Sequence, residues 1–446
     1  MCICDIMVFG ITIFWGSSVK WIDISHKLYK KKLVLCIFVV IKLQEHGYQH
    51  NAKRLRRLPT RPQNSRYEDN NLVLEIQTPK EKLCCPVCGS HNINRNGSHI
   101  RRFVSVPIGL SKTYLDMRVH RIQCHDCGCI KQEDIDFAKG KRRHTIAFAN
   151  MVLDLSRFAT IQDISCFLQV SWDVVRNIQM EFLQSKYSNP DLSMLRRISI
   201  DEFATHKGHV YKTIVVDLDN GHIVYVGDGN GKNALDGFWE RLGKDKEHIQ
   251  AVCTDLSAAY TRAVSEHLPN AALVVDHFHV TKLMNEKVDL LRRQLWHEEK
   301  DINKRKVIKG TRWLLLKNGN DIFDYAHRNR LENALSLKRP LMIAYYLKED
   351  LKEIWNQCSK QKAKDLLDEW VKQAIESKIQ PLVKMASTIR AYKTYILAWY
   401  DHYITNGTIE GINNKIKVLK RQIYGFRNEE YFTLRLYALH DRRLRI

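Results

Sequence analysis

Three acidic residues far apart in the chain, Asp201, Asp255 and Glu410, have the residue type and surroundings to grip a divalent cation. Asp201 ends the run Ile198-Ser199-Ile200, and Asp255 ends the run Ala251-Val252-Cys253-Thr254. Short apolar runs of this kind read as strands, so both carboxylates would emerge at strand ends. On neighbouring strands the two charges repel and raise each other's pKa unless a cation sits between them. Magnesium (or manganese) suits that place because it prefers oxygen ligands. Paired ions can activate water on one side and stabilise a leaving oxygen on the other. A lone aspartate at a strand end is more often a cap or a surface charge; the weight lies on the combination.

Glu410 sits in Gly407-Thr408-Ile409-Glu410-Gly411-Ile412-Asn413-Asn414-Lys415-Ile416-Lys417. Thr408 can cap a helix here, which puts Glu410 in its first turn, where the helix dipole alone would also favour it. Asn414, Lys417 and Arg421 follow at later turns on roughly the same face. A metal-binding carboxylate with an amide and cations beside it suits a DNA phosphate.

A second chemistry belongs to cysteine. Of twelve cysteines, Cys84, Cys85, Cys88, Cys124, Cys127 and Cys129 cluster, while Cys166, Cys253 and Cys358 stand alone. Cys85-Pro-Val-Cys88 and Cys124-His-Asp-Cys127 are paired knuckles, each followed by a glycine, Gly89 or Gly128, where a knuckle turn often needs positive φ. Four thiolates at that spacing make a closed tetrahedral zinc site, structural rather than catalytic. Cys84 and Cys129 offer a competing register. Clustered pairs of this kind point to metal binding in a reducing compartment, hence the cytoplasm, in association with the nucleoid.

These side chains need elements to hold them. Residues 83–130 form a compact module with strands expected at Arg101–Val106 and Thr113–Ile122. Thr145–Tyr187 is helical in pattern. Ile161–Leu168 has one apolar face, Gln169-Val170-Ser171 breaks it, and Trp172–Leu183 resumes with Val174, Val175, Ile178 and Phe182 inward. Ser171 can cap the second helix, so 145–188 reads as a helix-turn-helix, with Ser171, Trp172 and Arg176 as DNA-contact candidates.

After Asn189-Pro190 come strands at Arg197–Phe203, Tyr211–Leu218 and His222–Gly227, the last two joined by the hairpin signal Asp219-Asn220-Gly221. A helix over Asn233–Leu242, a strand over His248–Thr254, a helix over Ser257–His267 and a strand over Ala271–Val275 complete a mixed α/β sheet. With the third, second, first, fourth and fifth strands side by side in that order, Asp201 and Asp255 are neighbours. From Thr281 to Tyr403 strand signals give way to charged amphipathic helices. Further helices cover Ile409–Arg421 and Glu429–Arg445.

The 446 residues, 44% of them hydrophobic, allow two or three folded domains. Lys and Arg outnumber Asp and Glu by 71 to 49, a formal charge of +22 that favours a polyanionic partner. Double-stranded DNA is the expected partner, and no membrane. The apolar runs Ile6–Trp15 and Leu33–Ile41 are too short to span a bilayer, and no signal peptide is evident. Residues 1–62 read as an extension followed by a basic linker or phosphate-contacting arm. The extension is either a short structural addition or the product of a reading frame started too far upstream.

The stretch from about Cys85 to about Arg442 resembles the insertion-sequence L-three family of bacterial transposases. The likeness rests on the cysteine knuckles, the helix-turn-helix, Ile200-Asp201-Glu202, Thr254-Asp255, Val275-Asp276-His277-Phe278-His279-Val280 and Ile409-Glu410-Gly411-Ile412-Asn413. It implies a ribonuclease-H-like catalytic domain over 197–442, with a helical insertion at about 281–403. The family's DDE triad then falls on Asp201, Asp255 and Glu410. Asp276 and His279 match an acid-x-x-histidine pattern of related transposases and are accessory candidates. In the alternative, Asp276 replaces Asp255 as second acid; Asp255 is preferred because it follows the strand expected beside Asp201. The resemblance implies binding of terminal inverted repeats, metal-dependent cleavage and strand transfer, with a homo-oligomer pairing the ends. The rival reading is a zinc-ribbon and helix-turn-helix regulator derived from an inactive transposase.

Overall fold

The computed structural model describes residues 61–109, 111–206, 210–404, 407–423 and 428–441. The expected extension at 1–60 therefore lies outside the described residues, as does the far end of the last expected helix. The chain divides into two compact units, the first ending at Phe182 and the second beginning at Leu183.

In the first unit, strands β1 (Arg61–Glu68), β2 (Asn71–Gln77), β3 (Ile93–Ile108), β4 (Ser111–Cys124) and β5 (Ile130–Gln132) form one sheet. Its order is β1-β2-β4-β3, with β5 on β4. The β1–β2 hairpin is an addition to the expected pair of strands, and Arg61 and Pro62, expected in a linker, begin it. Asp69 and Asn70 turn it, both at positive φ (47° and 62°), as a tight hairpin turn of the mirror-image type requires. Leu74, Ile76, Phe103, Leu115, Met117 and Val119 fill the core on one face.

Three helices follow: α1 (Ile146–Leu155), α2 (Ile161–Leu168) and α3 (Trp172–Tyr187). Thr160 and Asp163 make a reciprocal capping box at the start of α2. Gln169, at φ 50°, ends that helix in a left-handed conformation, and the chain turns into α3 within three residues, as the sequence predicts. Val175, Ile178 and Phe182 are buried, while Val174 is only partly so.

The second unit is built on a sheet of β6 (Arg197–His206), β7 (Val210–Asp217), β8 (Ile223–Asp228), β9 (Ala251–Thr254) and β10 (Ala272–Val275). Its order is β10-β9-β6-β7-β8, the order expected from sequence. β6, β7 and β8 run antiparallel, and β9 and β10 run parallel to β6. Alternation along the strands sends residues to both faces. Ile198, Ile200 and Val215 pack with Phe238 and Trp239 of α4 (Asp236–Leu242) and with Tyr260 of α5 (Ala258–His267).

After β10 the chain is helical: α6 (His277–Glu298), α7 (Ile302–Gly310), α8 (Arg312–Leu316), α9 (Tyr325–Leu337), α10 (Arg339–Glu353), α11 (Lys360–Glu376), α12 (Gln380–Leu397) and α13 (Trp399–His402). All but α7 contribute to one apolar cluster that begins at Val275 and runs to Leu397, with Tyr400 packed against it. Then α14 (Gly407–Ile423) and α15 (Glu429–Tyr437) return to the sheet. Their Ile412, Ile416, Leu419, Phe432 and Leu436 cover Ile214, Val216 and Ile223, on the face opposite α4 and α5. No helix among the described residues is long and apolar enough to cross a membrane.

Candidate functional site

Two sites emerge, one in each unit. In the first, Cys85, Cys88, Cys124 and Cys127 present sulfur atoms that all lie within 4.8 Å of one another. Each knuckle closes the same way: Gly89 N–H donates to Cys85 O at 2.9 Å, and Gly128 N–H to Cys124 O at 3.1 Å. Both glycines sit at φ near 70°, as the knuckle turn demands. The separations Cys85–Cys127 and Cys88–Cys124 are 3.6 Å each. A tetrahedron with zinc–sulfur bonds of about 2.3 Å has edges of about 3.8 Å, so the set fits zinc. Cys129 lies 3.3 Å from Cys85, close enough to compete. The N–H groups of Cys88 and Val87 hold the Cys85 thiol down to about 6 against the opposing effect of burial, which favours thiolate at neutral pH.

The second site forms where β6, β9, α6 and α14 meet. Asp201 is buried on β6 and both of its oxygens are held. One accepts the Glu202 N–H at 2.8 Å, and the other accepts Asn413 Nδ2 of α14 at 2.7 Å. Asp255 follows β9 and accepts the Ser257 N–H at 3.1 Å. Burial pushes the Asp255 pKa up, His279 opposes this, and the charge of Asp201 adds to the rise. The two aspartates thus sense each other across the paired β6 and β9, although Asp201 lies within β6, which runs on to His206, and not at the strand end expected. Glu202 is raised by burial and by the charges of Asp255 and Asp201. An accumulation of buried negative charge of this kind calls for a cation, and oxygen donors of this type fit magnesium or manganese.

Glu410 is exposed in the first turn of α14, one turn before Asn413. The four cysteines are drawn within 4.8 Å of one another; Asp201, Asp255 and Glu410 are not gathered that tightly. Thr408 lies inside α14, not before it, because the helix begins at Gly407. The amide that meets the acids is Asn413, not the expected Asn414. Asn414 is exposed and its nearest partner is Lys417, at 3.5 Å. The buried stripe of Ile409, Ile412, Ile416 and Leu419 was the available signal. Asn413 follows Ile412 at the edge of that stripe, and Asn414 lies further round the helix. Lys417 and Arg421 are exposed.

Asp276 is buried and caps α6 through Phe278 N–H at 3.0 Å. Its other oxygen, Oδ2, is buried and accepts no hydrogen bond among the described residues; His279 Nε2 stands 3.6 Å away. Sequence reasoning missed Glu202, Tyr260 and Lys282 here. Tyr260, wholly buried, lies 3.5 Å from Glu202, and Lys282 opposes the rise in both Glu202 and Asp255. At the start of α3, Ser171 accepts the Val174 N–H at a long 3.4 Å, Ser171 and Trp172 are exposed, and Arg176 is half-buried.

With this geometry in view, comparison with known proteins is informative. Residues 198–436 match the family profile described as transposase, of the ISL3 type. The chain is 31% identical over 370 residues to the transposase for insertion sequence element IS1001 of Bordetella parapertussis, covering 82% of this chain and 91% of that protein. It is 27% identical over 358 residues to the transposase for IS1557 of Mycobacterium tuberculosis, covering 75% and 80%. Among solved structures, the Drosophila P element transposase strand transfer complex overlaps loosely. The TM-score is 0.39 at 10% identity, over 68% of this chain and 94% of that one. The family match and the insertion-sequence relatives favour an insertion-sequence transposase over the regulator. The chain belongs to the insertion-sequence L-three family of transposases.

Proposed function

We propose that this transposase is of the DDE type, with Asp201, Asp255 and Glu410 holding two magnesium or manganese ions on a ribonuclease-H-like sheet. The observation that carries the reading is the Asn413–Asp201 hydrogen bond, which ties the glutamate helix to the strand of the first aspartate. Bound magnesium supplies Lewis acidity, lowering the pKa of water and steadying the leaving 3′-oxygen. The chain's own residues do the positioning, which dominates phosphoryl transfer. Asn413 fixes one oxygen of Asp201, and the Ser257 N–H fixes one oxygen of Asp255. His279 acts on the charge of Asp255 and stands 3.6 Å from Asp276, which puts an imidazole beside the acids where it can meet water or a phosphate. Lys417 and Arg421 offer positive charge to the DNA backbone, and Asn414 an amide.

In this reading residues 83–130 are a zinc ribbon closed by Cys85, Cys88, Cys124 and Cys127, and 145–188 a helix-turn-helix. Together they bind the terminal inverted repeats, with α3 in the major groove presenting Ser171, Trp172 and Arg176. Residues 197–442 cut the ends and join them to target DNA, with the helices at 281–403 inserted before the glutamate, and a homo-oligomer pairs the two ends. Asp201→Ala should abolish magnesium-dependent cleavage of an end-containing duplex and leave its binding intact. Retained cleavage would reject the assignment.

A further inference from the structure

We propose that the outer part of the first sheet, where β4 lies between β3 and β5, is a base-reading surface that enters the major groove of the element ends. The proposal rests on the transposase reading above and adds a recognition element apart from α3. Strand register decides which side chains share a face. Arg121 is paired with Gln132, and Gln123 with both Ile130 and Asn94. Directly opposed residues point the same way and so do residues two apart, so these five lie on one face. Arg121, Gln123, Asn94 and Gln132 are exposed, and Ile130 is 43% exposed. The alternate face is closed there: Ile122 and Cys124 are buried toward the cysteine knuckles.

What sets this face apart is its chemistry. The side chains of Asn94, Arg121, Gln123 and Gln132 make no hydrogen bond or ion pair among the described residues, and none of the five is acidic. A guanidinium, three carboxamides and one exposed branched apolar group form the repertoire that reads the major groove. Arginine pairs with guanine, asparagine or glutamine with adenine, and an apolar group meets the thymine methyl. Three strands with neighbouring backbones about 4.8 Å apart set the outer two about 10 Å apart, within a groove about 12 Å wide. The deep, narrow groove of duplex RNA would not admit this ribbon.

The test is fluorescence anisotropy with the full zinc-loaded chain. It uses a duplex bearing the terminal sequence of the encoding element and a scrambled duplex of equal composition. R121K keeps the charge but loses the two-pronged guanine contact, and Q123A removes one carboxamide. Each should lower the preference for the end duplex by about 5- to 150-fold while leaving scrambled-duplex affinity unchanged. Zinc content should match wild type, since neither side chain supports the fold. Preference within twofold of wild type for both variants, or equal losses on both duplexes, would overturn the proposal. If W172A and R176A abolish preference while the ribbon variants do not, readout belongs to α3 alone and the transposase reading survives. A wild-type chain with no preference that also fails to cut end DNA with magnesium sinks both.

Discussion

Asn413 donates its side-chain N–H to the carboxylate of Asp201 across 2.7 Å, although the two residues are 212 positions apart in sequence. The bond sets the direction of an acid whose other oxygen is already fixed by its own strand. Partners of metal-binding carboxylates contribute about 10- to 100-fold to affinity or activity. Asn413→Ala should therefore slow magnesium-dependent cleavage within that range and raise the magnesium concentration needed for half-maximal rate. Unchanged metal dependence would show that the bond is not used.

Asp255 supports a prediction about stability. Burial raises its pKa, His279 opposes the rise, and Asp201 adds to it. A carboxyl whose folded pKa is raised contributes stability below the unfolded value of about 3.9, and this is lost as pH rises through the folded pKa. At pH 7 the metal-free fold therefore carries an unfavourable charge. Asp255→Asn removes it and keeps the oxygen that accepts the Ser257 N–H. The metal-free melting temperature should rise by about 2 °C at pH 7, with the gain shrinking toward pH 4. A variant less stable than wild type at pH 7 would contradict this.

The cysteine knuckles give a chemical test. Cys124→Ser and Cys127→Ser should release zinc and destabilise the first unit, since ligand binding energy is folding energy in such sites. Cys129→Ser should retain a full equivalent of zinc, because Cys127 belongs to the set within 4.8 Å and Cys129 stands beside it. Zinc retained by Cys127→Ser and lost by Cys129→Ser would reverse the ligand assignment.

The entry to α2 is held by Thr160, whose side chain accepts the Asp163 N–H at 3.0 Å while Asp163 accepts the Thr160 N–H at 3.1 Å. Thr160→Ala should cost about 1 kcal/mol, read by urea unfolding. No change would mean that the helix start is held by packing alone.

The parts legible in the sequence were those with local signals. Asp219-Asn220-Gly221 announced its hairpin, and with it the antiparallel half of the second sheet. The paired knuckles announced their turns because glycine serves positive φ. Less legible was whatever depends on partners distant in sequence. The β1–β2 hairpin went unseen although Asp69-Asn70 suits its turn, because polar residues on both strands hide the alternation. Asn413 was passed over for Asn414 because both lie within one turn of Glu410, and only packing of the apolar stripe decides between them. The free face of β4 emerged only from register, which the sequence does not specify.

The central claim is that Asp201, Asp255 and Glu410 share divalent ions. Anomalous scattering from manganese, in crystals of the chain bound to an end duplex, tests it most directly. The account predicts ions with oxygens of both aspartates and of Glu410 within about 2–2.5 Å. Ions held by Asp201 and Asp276 instead, or with Glu410 beyond reach, would contradict it.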